Sequence, residues 1–248
     1  MLEGKRALVT GSSKGVGAAI AKALAREGAD VVVNHRASDS EAKAVASSIR
    51  KTGRRAVVVK SDISRKSDVD AMFEVVKKEF GGLDVLVNNA GVSDGKVWNA
   101  PVDEISVEMW EKVFSVDVFG AFLCTQRALK LMKNGGSIVN ISSTPVLTGD
   151  KDGLVYAAAK GSVLALTKTL ARMLAPKIRV NCMILGAIET SWLNWLRDDE
   201  VRLLRSSIPL GRFGSPEDVA WLAVFLASDE SSYITGQGVV IDGGEVMH

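Results

Sequence analysis

Thr10-Gly11-Ser12-Ser13-Lys14-Gly15-Val16-Gly17 stands between the short run Arg6-Ala7-Leu8-Val9 and the alanine-rich stretch Ala18-Ala19-Ile20-Ala21-Lys22-Ala23-Leu24-Ala25. The run reads as a strand, and the stretch has the spacing and composition of a helix packed on a sheet. The glycines therefore fall at a strand-to-helix turn. There a glycine can adopt positive φ, let a pyrophosphate approach the backbone and allow close helix-to-strand packing, while the helix N-terminus offers unpaired N–H groups to an anion. The plainer reading of the same stretch is a tight structural turn.

Outward from this turn, apolar and β-branched runs alternate with helical stretches. The strands predicted are Ala7–Thr10, Val31–Asn34, Val57–Lys60, Val85–Asn88, Ser137–Ser142, Arg179–Met183 and Gly238–Ile241, with helices over 15–28, 40–52, 67–80, 103–132, 155–175 and 216–227. Several strands are apolar at consecutive positions, the signature of a parallel sheet covered on both faces. No Pro-, Gly- or Ser-rich linker divides the 248 residues. The expected fold is one α/β domain over 1–248, a doubly wound, Rossmann-like, seven-stranded parallel sheet with right-handed helical crossovers. Ligands in such sheets bind beyond the carboxyl ends of the strands. Gly11, Asp62, Ser143 and Gly186 each follow a predicted strand, and Asn88 ends one.

Composition narrows the function classes. The 31 basic and 29 acidic residues are interspersed and leave a net charge of +2, without the basic excess that nucleic-acid binding needs. Cys124 and Cys182 lie in apolar surroundings at no metal-like spacing, and only His35 and His248 supply imidazoles. A metal site or a Ser-His-Asp triad is not expected. The N-terminus enters the first strand within a few residues and no apolar stretch is long enough to cross a bilayer, which predicts a cytoplasmic protein with neither a nucleic-acid nor a membrane partner.

Tyr156-Ala157-Ala158-Ala159-Lys160 places a phenol and an ammonium on one helical face. An adjacent cation favours a phenolate. Moving a tyrosine down by about three pH units needs roughly 4 kcal/mol, comparable to one cation at about 4 Å in an effective dielectric of about 20. By spacing alone, the pair also reads as an ordinary exposed helix face. Ser143 follows the strand before this helix, where a hydroxyl can donate to a carbonyl oxygen beside the tyrosine. Ser142 and Thr144 are rival hydroxyls, and strand alternation separates Ser142 from Ser143 without saying which faces a pocket.

Thr10-Gly11-x-x-x-Gly15-x-Gly17, Asn88-Asn89-Ala90-Gly91, Ser143 and Tyr156-x-x-x-Lys160, in this order and over essentially the whole chain, resemble the short-chain dehydrogenase/reductase superfamily. The closing Gly236-x-Gly238 to Asp242-Gly243-Gly244 segment is also similar, and the branch resembled most is that of 3-oxoacyl-carrier-protein reductases and glucose dehydrogenases. The resemblance implies a carbonyl reductase or alcohol dehydrogenase that passes hydride directly between cofactor and carbon, without a metal. Tyr156 would be the general acid or base, Ser143 would orient the substrate oxygen, and Lys160 would hold the nicotinamide ribose and favour the phenolate. Gly11, Ser13, Lys14, Gly15, Val16, Gly17, Asn34, His35 and Arg36 would line the phosphates and adenosine. Asp62 and Ile63 would meet the adenine, Asn88, Asn89, Ala90 and Gly91 the middle of the cofactor, and Gly186, Ile188 and Thr190 the carboxamide. A helix-entry role for Asp62 and a sheet-stabilising role for Asn88 are the structural alternatives. A homotetramer is implied, consistent with apolar Val118, Phe119, Phe122, Leu166 and Leu170, which core packing would equally explain.

Two positions depart from that pattern. Asp117 stands where the family carries an asparagine of the catalytic network, and a carboxylate accepts but cannot donate as an amide does. It is partnered, or protonated, or the relay is rearranged. Leu185-Gly186 replaces Pro-Gly, which predicts a less rigid turn. The second strand ends Asn34-His35-Arg36-Ala37-Ser38 with no acid before Asp39, whereas an NAD site wants one there. Lys14 sits near a helix N-terminus, where a cation is disfavoured unless an anion joins it. Lys14 with Arg36 points to a 2′-phosphate, hence NADP(H) in preference to NAD(H); solvated surface cations are the alternative. The segment 187–210 occupies the position of a substrate lid, and Trp192 and Trp195 with Leu193, Leu196 and Trp98 suggest an apolar cover for an uncharged, ring-bearing or 3-oxoacyl small molecule. Packing against the body or a second subunit would explain the same patch. A sugar or polyol dehydrogenase, and a cofactor-binding protein without turnover, are the other readings.

Overall fold

The computed structural model describes residues 1–247, so His248 lies outside the described residues. Seven strands, β1 (Arg6–Val9), β2 (Asp30–His35), β3 (Ala56–Lys60), β4 (Val85–Asn88), β5 (Gly136–Ser143), β6 (Ile178–Leu185) and β7 (Gly238–Ile241), form one sheet. Its order is β3-β2-β1-β4-β5-β6-β7 and every pairing is parallel. The helices are α1 (Gly15–Arg26), α2 (Asp39–Arg50), α3 (Lys66–Phe80), α4 (Gly95–Trp98), α5 (Val107–Phe114), α6 (Ala121–Ala128), α7 (Pro145–Thr148), α8 (Leu154–Leu174), α9 (Asp198–Ser207) and α10 (Pro216–Ala227). None of the helices among the described residues is long and apolar enough to cross a membrane.

The consecutive apolar residues of the strands serve two cores. In β1, Ala7 and Val9 join one and Leu8 the other; in β2, Val31 and Val33 oppose Val32. Because successive side chains leave a strand on opposite faces, both positions of the alternation must be apolar when helices cover both sides. Helices α1, α2 and α10 cover the first face, and α3, α6 and α8 the second. Leu8, Ile20, Leu86 and Ile138 are fully buried, each contributing about 1.5–3 kcal/mol of hydrophobic stabilisation.

The helix expected over 103–132 does not form as one element. A 3₁₀ turn at Val102–Glu104 follows Pro101, α5 runs to Phe114, a π turn occupies Ser115–Gly120, and α6 ends at Ala128. Local propensity is helical throughout, but the π turn inserts one residue where tertiary contacts claim the chain: Gly120 packs so tightly on Ile63 that a Cβ there would stand 2.8 Å from its Cδ1. Leu185 also differs from expectation. Rather than loosening a turn, it completes β6, paired with Ser143 on one side and Ile241 on the other.

Strand order reverses between β1 and β4. At that switch the turns after the two strands are stitched together: Asn89 Nδ2 donates to the carbonyls of Thr10 and Gly11 at 2.9 and 3.2 Å, and the Asn89 and Ala90 N–H groups both donate to Thr10 Oγ1 at 3.0 Å. The crevice of the sheet opens here.

Candidate active site

The glycine turn is built by exclusion. Gly11 has φ +63°, and a Cβ on it would lie 2.9 Å from Ala90 Cα; a Cβ on Gly17 would lie 2.6 Å from the Gly11 carbonyl oxygen. Asn34 fastens the turn to β2 and β3, its Oδ1 accepting from the Gly11 N–H at 3.0 Å and its Nδ2 donating to the Ser61 carbonyl at 3.2 Å. Ser12 Oγ accepts from the Asn34 N–H at 3.1 Å and donates to the Val9 carbonyl at 2.7 Å. The first turn of α1 carries no acid, and its N-cap, Lys14, makes no side-chain bond to the helix. Its orphan N–H groups and positive dipole end are left for an anion. Ser13 is buried and Val16 half-buried beside them.

Lys14 and Arg36 are exposed at the mouth of this turn, while His35 is buried with Nε2 3.6 Å from Asp39 Oδ1. Asp39 begins α2 and is held by Lys43 at 2.7 Å, the contact that keeps its carboxyl below the usual carboxylate range. Asp62 Oδ1 accepts from the backbone N–H and hydroxyl of Ser64 at 3.0 and 2.7 Å; partial burial works against its charge, but Ser64 and the nearby Arg36 outweigh it and hold the carboxyl low. Ile63 is buried beside it.

The chemistry-bearing residues meet where β5, α8 and the π turn converge. Lys160 Nζ lies 5.5 Å from the Tyr156 ring centroid, and Trp98 packs edge-on to that ring at 5.2 Å. Ser142 Oγ donates to the Lys160 carbonyl at 3.0 Å and is buried; Ser143 is half-buried, its hydroxyl donating to the Leu185 carbonyl at 3.2 Å. Asp117 is fully buried, with Oδ1 accepting from the Val92 N–H at 2.8 Å and Oδ2 2.8 Å from Lys160 Nζ. Burial works against the Lys160 charge, but Asp117 together with Tyr156 outweighs it and raises the ammonium above the ordinary lysine range. Asn88 does not face this space. Its Nδ2 bonds Asn140 at 2.8 Å and Thr125 at 3.2 Å inside the sheet.

Beyond β6, Gly186 packs on Asp242, Ile188 is buried in a bridge to Gly214, and the methyl of Thr190 stands 3.6 Å from where a Cβ on Gly15 would be. Trp192 Nε1 donates to the Ile188 carbonyl at 2.6 Å. Trp195 crosses to the opposite wall and packs over Gly95 of α4, where a Cβ would stand 3.3 Å from its ring.

The site residues expected from the sequence, Asn88 excepted, line one cleft of about 1550 Å³. The cleft also takes Asp94, Lys112, Asp150, Asp152, Glu200 and Glu245, which sequence reasoning did not single out. Glu245 comes from the C-terminal tail, folded back because Asp242 accepts from the N–H groups of Gly244 and Val246 at 2.8 and 2.7 Å; burial, with Asp242 and Asp150, raises its carboxyl above the usual range. The turn is local, but its place at the cleft is set by the packing of Gly243 on Ile208 and Gly244 on Pro209, which no spacing in the sequence announces. Among the described residues no group of three or more His, Cys, Asp or Glu is placed to hold a metal.

Residues 11–245 match the family model described as enoyl-(acyl carrier protein) reductase. The chain is 40% identical to 3beta-hydroxysteroid dehydrogenase 1 of Eggerthella lenta over 100% of this chain and 95% of that protein. It is likewise 40% identical to the 3-oxoacyl-[acyl-carrier-protein] reductase FabG of Aquifex aeolicus, over 98% of each chain. Among solved structures, a short-chain dehydrogenase from Burkholderia cenocepacia in complex with NADP superposes with a TM-score of 0.91 at 35% identity, covering 98% of both chains. With its parallel sheet, its glycine turn at the switch point and its near full-length relatives, this chain belongs to the short-chain dehydrogenase/reductase family, oxidoreductases that bind nicotinamide cofactors.

Proposed function

We propose that the protein is an NADP(H)-dependent oxidoreductase that reduces a carbonyl to an alcohol, or runs the reverse, on an uncharged apolar or ring-bearing ketone or a 3-oxoacyl group. The observation that carries this reading is that Tyr156, with Lys160 5.5 Å from its ring, opens into the same cleft as the uncapped N-terminus of α1. One end of the cleft suits phosphates and the other suits proton transfer.

When bound, the nicotinamide supplies or accepts the hydride at the substrate carbon. The free N–H groups of α1 and Ser13 hold the phosphates, Asp62 and Ile63 flank the adenine, and Asn89, Ala90 and Gly91 line the middle of the dinucleotide. Gly186, Ile188 and Thr190 face the carboxamide. Lys14 and Arg36 hold the 2′-phosphate; the first acid after β2, Asp39, does not line the cleft, so it offers no carboxylate there to a ribose hydroxyl. The NADP complex of the Burkholderia neighbour supports the choice. Tyr156 Oη donates a proton to the substrate oxygen in reduction and accepts it in oxidation. Ser143 turns its hydroxyl from the Leu185 carbonyl toward that oxygen, a role Ser142 cannot share while it caps Lys160. Lys160 keeps its charge and holds ribose hydroxyls. The segment 187–210 acts as the lid, with Trp98, Trp192 and Trp195 excluding water over an apolar substrate; the relationship to a hydroxysteroid dehydrogenase supports a ring-bearing one. Exposed Phe119, Phe122 and Met173 on the π turn, α6 and α8 support a homotetramer formed through those helices.

The test is a panel of cyclic and aromatic ketones, 3-oxoacyl thioesters, quinones and sugars, followed by NADPH absorbance, with Tyr156→Phe as control. The variant is expected to lose turnover by about 10²–10⁴-fold while binding NADPH normally. Retained turnover in Tyr156→Phe, or no carbonyl reduced by the unmodified protein, overturns the reading.

A further inference from the structure

We infer that Asp117 is a positioning residue that opposes the charge of Lys160 at the phenol of Tyr156, so that the buried Asp117–Lys160 pair sets the pH range in which Tyr156 gives and takes its proton. The inference rests on Tyr156 being the proton donor proposed above.

Asp117 is placed by an irregularity that a regular helix could not supply. The π turn between α5 and α6 carries it, and its side chain is fully buried. Oδ1 pins the chain just after β4 by accepting from the Val92 N–H, and Oδ2, which has no hydrogen bond, is ion-paired with Lys160 Nζ at 2.8 Å. Gly91 lets the pair form against the backbone, since a Cβ there would lie 2.8 Å from Asp117 Oδ2 and 3.4 Å from Lys160 Nζ. A buried carboxylate at this distance requires its counter-ion, and the counter-ion is the same ammonium that faces Tyr156.

The ionisable groups that face Lys160 are Asp117 from the π turn, Tyr156 from its own helix and Cys182 from β6. Burial pushes the Cys182 thiol up to about 12, so it is neutral over the working range. Asp117 is therefore the group that sets how much of the Lys160 charge the phenol experiences. An isolated ammonium favours the phenolate; an ammonium paired at 2.8 Å presents a dipole, whose field falls off faster with distance. An amide at 117 would remove the negative charge that both opposes phenol ionisation and holds the proton on buried Lys160, so the first proton of the Tyr156–Lys160 pair leaves at lower pH. The other charged groups of the cleft are unchanged by that substitution and cancel in the comparison.

The chain contains two tyrosines, Tyr156 and Tyr233, and Tyr233 is fully exposed, far from any role proposed here. In Tyr233→Phe the only phenol is Tyr156. Its ionisation is then read from near-ultraviolet phenolate absorbance against pH, without cofactor or substrate, in the presence and absence of Asp117→Asn. The midpoint is expected at least one pH unit lower in the Asn variant, a tenfold or greater rise in the ionisation constant, with a matching downward shift in the acid limb of kcat/KM for alcohol oxidation. Asp117→Ser, which also removes the charge, should reproduce the shift if the amide disturbs folding. Midpoints that coincide, or that rise, overturn the inference. A role confined to holding Val92 would alter thermal stability and leave the midpoint where it was. Because the titration needs no turnover, a protein that reduces no carbonyl defeats the proposed function while leaving this electrostatic result to stand or fall separately.

Discussion

The turn after β1 and the segment after β6 occupy equivalent places, each leaving the carboxyl end of a strand beside the same cleft, yet they are built in opposite ways. In the first, Asn34, Ser12, Thr10 and Asn89 all bond backbone groups, and two glycines admit no side chain. In the second, the 3₁₀ turn Ser191–Trp195 and α9 contain no buried residue, and the segment is anchored chiefly by Ile188 with its bridge to Gly214 and its bond from Trp192. The difference teaches which end of the site is preorganised. Groups that must cradle a phosphate cannot shift, whereas a cover over a variable substrate gains from opening at low free-energy cost.

The comparison breaks most severely if the first turn tolerates a methyl group. Gly17→Ala places a Cβ against Asn89 Nδ2, which is held by its bonds to the Thr10 and Gly11 carbonyls, and 2.6 Å from the Gly11 carbonyl oxygen, so neither neighbour is free to move aside. Overpacking of this kind costs about 1–3 kcal/mol. Saturable NADPH binding should disappear in fluorescence titration, and the melting temperature should fall by roughly 3–10 °C. Unchanged cofactor affinity would mean that the turn is not the phosphate cradle.

The same contrast explains what could be read from the chain alone. Glycine spacing, strand runs and the Tyr156–Lys160 interval are local constraints, imposed by φ, by strand alternation and by the helical repeat, so they are written in consecutive residues. Leu185 and Asp117 lie in the part set by distant contacts. Leu185 is held in β6 by its pairing with β5 and β7, which no dipeptide preference reveals. Asp117 faces Lys160 because one π turn interrupts a sequence whose periodicity is helical from end to end. The long helix expected over 103–132 failed for that reason: a tertiary ion pair and the packing of Gly120 on Ile63 outweighed propensities of a few tenths of a kcal/mol per residue. Ser142 and Ser143 show the boundary between the two. Alternation separated their directions, and only the position of α8 showed that Ser142 is buried against the Lys160 carbonyl while Ser143, bonded to Leu185, stays half-buried.

A smaller effect sharpens the first region internally, separating its buried frame from its charged rim. Lys14 and Arg36 are exposed and hold no part of the turn together. Each charge-assisted bond to a 2′-phosphate contributes about 1.5–3 kcal/mol, toward the lower end at an exposed rim. Lys14→Ala with Arg36→Ala should weaken NADPH binding by about 150-fold or more, leave NADH within about threefold and leave the melting temperature unchanged. Equal losses for both dinucleotides would assign the two cations to the shared phosphates and remove the argument for NADP(H).

The smallest effect belongs to the lid. Trp195 contributes no buried core and touches the opposite wall at Gly95, so its removal should not register in global stability. Trp195→Ala takes away one side of an apolar cover, and the expected result is a rise in KM of about five- to tenfold for a ring-bearing ketone with the melting temperature within about 1 °C. Gly95→Val tests the same contact from the other wall: a Cβ there lies 3.3 Å from the indole and would push the lid outward, so the two variants should resemble each other in KM and differ little in kcat. A melting temperature that falls as far as in Gly17→Ala would show that the segment after β6 is as much a part of the frame as the glycine turn, and the division of the site into a rigid half and a compliant half would have to be abandoned.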